Sequence, residues 1–124
     1  MNSRSNLHRT QQWQLAERQR YLTELESLAE RLRADVDRLR EEIEQAGGAD
    51  ALPTNPRLDP LFIRPLVERH EKLLVSVAEI EAQIAEARAA VTTAQQEVKL
   101  VEGAMVHRGL RFEERLTRRT RRMI

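Results

Sequence analysis

The sequence predicts an all-α fold, an antiparallel two-helix coiled-coil hairpin with unequal arms. Two ladders of apolar residues at seven-residue spacing, one Gly/Pro-rich break between them, and a composition suited to long helices predict it. Charged residues make up 33% of the chain and aromatics only 3%. That leaves too few rings to fill a globular core, but enough Leu, Ile, Val and Ala for a narrow seam.

The first ladder sets helix 1 over about residues 6–46. Steps of seven from Leu15 give Leu15, Leu22, Ala29, Val36 and Ile43 at the a positions. Arg18, Leu25, Leu32, Leu39 and Ala46 follow at d. Arg18 is the single polar member, and this regularity is the mark of a helix that buries one stripe against a partner. Tyr21 and Leu28, at g, are expected to widen the stripe.

The break covers about residues 47–59. Gly47-Gly48 supplies permissive backbone, and Pro53, Pro56 and Pro60 forbid helix continuation. Asp59 before Pro60 reads as an N-cap followed by proline at the first helical position. Pro65, one turn further on, is either tolerated near the start or kinks the helix. Nothing in the break resembles a strand, which disfavours prefoldin-like chaperones.

Helix 2 is expected over about residues 60–122. Its a positions are Ile63, His70, Val77, Ile84, Val91, Val98, Met105 and Phe112, and its d positions are Leu66, Leu73, Ile80, Ala87, Ala94 and Val101. His70 is the one polar residue on this seam up to Val101. A strict seven-residue repeat keeps the seam on its partner by left-handed supercoiling. The helices would be roughly 60 and 90 Å long at ~1.5 Å per residue, so the second outruns the first. Pairing Ile43 with Ile63 puts Leu15 near Val91 and His8 near Val98, and the partner then runs out around Met105.

The expected overhang, residues 107–124, is basic: seven arginines against Glu113 and Glu114, net +5. Gly103 and Gly109 weaken its helix. Arg108, Arg111, Arg115, Arg118, Arg119, Arg121 and Arg122 are either a solubilising run or, being largely unpaired, the counterpart of an acidic surface. Nucleic acid is the lesser candidate surface, since Phe112 is the only ring for stacking and no base-reading motif is present. An acidic protein groove is favoured.

Few other residues suggest chemistry. There are no cysteines, so disulfides and thiolate metal sites are excluded. No metal or other cofactor is expected, because His8, His70 and His107 lack ligand spacing. His70 reads as a register-setting or internally satisfied seam residue. The carboxylates lie on solvated faces with no apolar pocket to shift a pKa, which argues against an enzyme. No transmembrane segment is present, and Met1-Asn2-Ser3-Arg4 opens no signal-like apolar stretch, so a cytoplasmic protein is expected. Trp13, at f, is either an exposed ring near a frayed end or a contact anchor. Leu61 and Phe62 carry the same ambiguity, with capping of the hairpin tip the favoured role. Oligomeric state stays open, a weak homo-oligomer included.

Three segments resemble the bacterial flagellar export protein FliJ family: Leu7 through Arg20, a Gln-rich opening; Leu61-Phe62-Ile63-Arg64-Pro65-Leu66, an apolar restart; and Ala94-x-x-Glu97-x-Lys99-x-x-Glu102. The likeness covers nearly the whole chain. Gly103-Ala104-Met105 departs from the Leu and charged cluster expected there. The resemblance implies a coiled-coil component of the type III export apparatus at the flagellar base, peripheral to the inner membrane. Implied partners are the hexameric export ATPase, the cytoplasmic domain of the export gate, and export chaperones. The alternatives are a generic coiled-coil scaffold and a nucleic-acid-binding hairpin that uses its arginine-rich end.

Overall fold

The computed structural model describes residues 3–47 and 60–123, and these form two helices, α1 (Ser3–Gly47) and α2 (Pro60–Met123). The chain is an all-α antiparallel hairpin, with no strand among the described residues. Both helices match their expected bounds to within three residues. Gly47, expected in the turn, instead closes the last turn of α1 without a positive φ. The rest of the expected turn, including Gly48, Asp59, Pro53 and Pro56, lies outside the described residues. α2 runs through Pro65, which has no N–H to give to the helix ladder.

The chain divides into two compact units, one of residues 22–86 and one of residues 1–21 with 87–124. In the first, α1 buries Leu25, Ala29, Val36, Leu39 and Ala46, and α2 buries Ile84. Leu22, Leu32, Ile43, Ile63, Leu66, His70, Leu73, Val77 and Ile80 are half-buried. All of these are a or d positions, and Asp35 and Ser76, at g, are half-buried beside them. Ala29 is 0% exposed, as the small side chain at a point of close helix approach must be. Arg33 Nη2 donates to Glu81 Oε1 at 3.0 Å across the pair. Both side chains are half exposed, so the bridge contributes little beyond orientation.

The second unit is built differently. Its buried residues are Ala87, Val91, Ala94 and Val98, all on α2. The α1 side covers them with half-buried Leu15 and with His8, Gln11 and Arg18. Arg18 Nη1 donates to the Ala90 carbonyl at 3.3 Å, and His8 Nε2 meets Glu102 Oε1 at 3.1 Å. Val101 and Met105 are half-buried, and every side chain from Val106 to Arg122 is exposed.

These contacts correct the expected register. His8 lies beside Glu102, one turn beyond Val98. In the other unit Ala46 shares a groove with Phe62 and Leu66. The reason lies in seam geometry: in antiparallel pairing the a positions of one helix face the d positions of the other. Ile43 therefore belongs opposite Leu66, and pairing it with Ile63 set a against a. Of the g positions expected to widen the stripe, Tyr21 is 53% and Leu28 38% exposed, whereas Gln14, Asp35, Ser76, Ala90 and Glu97, also at g, are half-buried.

Threonine and serine sit inside these helices without breaking them because Thr10, Ser76, Thr92, Thr117 and Thr120 each donate a hydroxyl proton to the carbonyl four residues back. Glycine has no such compensation. A Cβ at Gly103 or Gly109 would meet nothing within 4 Å. Gly103→Ala and Gly109→Ala are each expected to stabilise α2 by about 1 kcal/mol, read as higher helical ellipticity and slower amide exchange over residues 100–115.

Candidate functional site

The end of α2 is where the structure gathers most of the predicted partner-binding residues. Phe112, Arg115, Arg118, Arg119 and Arg122 line one shallow groove of about 370 Å³ together with Leu116. At about 100° of helix rotation per residue, Arg108, Arg111, Arg115, Arg118, Arg119 and Arg122 fall within an arc of roughly 100°. They extend over roughly 21 Å of helix axis at ~1.5 Å per residue. Arg121 stands outside this arc, as do Glu113 and Glu114, so the acids do not interrupt the row. The row occupies a, d and g positions, the face that α2 turns toward α1 further back in this unit. Past Met105 no α1 residue covers it.

Apolar residues adjoin the arginines. Phe112 is 63% exposed and Leu116 is also exposed; on the helical wheel they lie beside the arginine row with Met105. Leu116 was not singled out by the heptad reading, because it falls at e, where the ladder assigns no seam role. Exposed Val106 and Leu110 were missed for the same reason. Trp13 is 65% exposed on α1 and does not join the groove. Leu61 and Phe62 are exposed, and Phe62 lines a separate groove with Leu66, Ala46, Gln45 and Glu42.

Elsewhere the polar groups are mixed. Asp35, Arg38, Glu42 and Arg69 line a groove with Leu39 and Leu73, where Arg38 contacts Asp35. Acids and bases neutralise one another there, unlike the single-sign row on α2. Among the described residues, no group of three or more His, Asp or Glu is placed to hold a metal ion.

His70 differs from the internally satisfied residue that was one reading of the sequence. Its Nε2 is buried without a hydrogen-bond partner. A polar atom in that state costs stability while penalising mispaired seams. His70→Leu is expected to raise the unfolding free energy by about 1–3 kcal/mol, measured as a shift in urea midpoint.

Compared with known proteins, the chain matches no family model, no curated protein and no solved structure. Among the described residues, no helix is long and apolar enough to cross a membrane.

Proposed function

We propose that this chain is a non-enzymatic adaptor of flagellar type III protein export, docking into the hexameric export ATPase and promoting its activity. In this reading it bridges the ATPase to the cytoplasmic domain of the export gate and to export chaperones, in the cytoplasm at the flagellar base. The observation that carries the reading is the continuation of α2 past Met105 as an exposed helix with six arginines in one row. A paired helical stem that ends in an unpaired basic helix suits insertion into an acidic channel. The resemblance of Leu7–Arg20, Leu61–Leu66 and Ala94–Glu102 to the flagellar family names the channel.

The test is ATP hydrolysis by the export ATPase with the full chain and with a chain lacking residues 109–124. The full chain is expected to stimulate hydrolysis, and the deletion to lower that stimulation severalfold while leaving the hairpin's ellipticity intact. Equal stimulation by both chains removes the arginine row from the contact. No stimulation and no co-migration by either chain removes the ATPase as a partner, and a scaffold with other partners then takes its place.

A further inference from the structure

We infer that the end of α2, from Met105 to Arg122, is a docking helix for an anionic lipid surface. Three observations carry it. Six arginines stand in one row along roughly 21 Å of axis. The row is exposed throughout. An apolar strip of Met105, Phe112 and Leu116 runs beside it, with Phe112 and Leu116 open to solvent.

The pairing of these two strips selects the occupant. Guanidinium groups in a row match a sheet of lipid phosphates, and each positive side chain near such a surface adds to binding. Phe112 and Leu116 then enter the boundary between headgroups and acyl chains, the arrangement of an interfacial amphipathic helix. A nucleic acid backbone would take the arginines but offer no home to Leu116, and at most one stacking partner to Phe112. Glu113 and Glu114 lie off the arginine row and meet water when the helix lies on a membrane. The Thr117 and Thr120 hydroxyls are turned back onto the carbonyls of Glu113 and Leu116, which satisfies both hydroxyls within the helix.

This inference does not rest on the export reading, although both concern the same arginine row. The two occupants would be exclusive, because both engage the same arginines.

The experiment is co-sedimentation of the full chain with phosphatidylcholine vesicles and with vesicles holding about 30% phosphatidylglycerol, at roughly physiological salt. Binding to the anionic vesicles alone is expected. The variant Arg115→Gln/Arg118→Gln/Arg119→Gln/Arg122→Gln should lose roughly a hundredfold or more in partitioning. Phe112→Ser/Leu116→Ser should lose roughly tenfold, with Phe112→Leu retaining most of the binding. Circular dichroism of each variant separates lost binding from lost helix. No binding to anionic vesicles overturns the inference. So does unchanged partitioning of Phe112→Ser/Leu116→Ser, which would leave only diffuse charge attraction. Tight binding of duplex DNA under salt conditions where the vesicles are ignored overturns it in favour of nucleic acid.

Discussion

Ala29→Asp is expected to unfold the paired helices of the unit formed by residues 22–86. Ala29 is 0% exposed, on a seam whose buried neighbours on α1 are Leu25 and Val36. A carboxylate there has no cation placed on the seam to receive it, and an uncompensated buried charge costs about 3–5 kcal/mol or more. Domains of this kind have only about 5–15 kcal/mol in total. Urea denaturation followed at 222 nm should show the midpoint falling sharply or the transition vanishing. Ala29→Ser, which adds one small polar atom able to bond to the helix backbone, should cost far less. Ala34→Asp, on the exposed side of the same helix, is the control and should leave the midpoint nearly unchanged. A midpoint for Ala29→Asp equal to that control would contradict the close approach seen at this position.

The opposite result is expected at the other end of α1. His8→Leu combined with Gln11→Leu should stabilise the unit of residues 1–21 and 87–124 by about 2–4 kcal/mol. Both residues occupy seam positions above Val98, Val101 and Ala94, and Gln11 Oε1 is buried without a hydrogen-bond partner. Replacing an unsatisfied buried amide with an aliphatic chain recovers its desolvation penalty, about 1–3 kcal/mol, and adds apolar burial. The loss of the His8–Glu102 contact is a minor offset, because Glu102 is half exposed and water can solvate it. Amide exchange is the direct measurement: protection over residues 5–18 should rise by roughly 1.5 to 3 orders of magnitude, at about 1.4 kcal/mol per tenfold. Unchanged protection would mean that the polar side chains on this seam are satisfied by water.

The contrast between these two predictions shows what periodicity can convey. From Leu22 to Ala46 the ladder consists of apolar residues at every seam position, so one helix face is marked without ambiguity. Before Leu15 the same face carries Arg4, His8 and Gln11, and a pattern based on hydrophobicity stops there. The pairing nevertheless continues, because Val91, Ala94 and Val98 on α2 supply the apolar half and long polar side chains on α1 lie over them. A polar residue that covers a partner is invisible to a reading of its own helix alone.

The candidate site was partly legible for the same reason. The arginines were identified by charge density, and Phe112 by its place on the ladder. Leu116, which shares their groove, stands at an e position and carried no signal. Whether Trp13 was a contact anchor or an exposed ring depended on its surroundings. The structure leaves it exposed and apart from the arginine groove.

Seven-residue spacing by itself determined that this protein has two long helices, which face of each is buried, and that a basic stretch follows the second ladder. Those properties follow from the 3.6-residue turn and from the solubility of side chains, both local to one helix. Only the tertiary structure decided the register, the exposure of Tyr21 and Leu28 at g, and the gathering of Leu116 with the arginines. Each of these depends on where a second helix lies and where it ends, and an antiparallel partner sets a against d by a geometry that one strand of heptads does not contain.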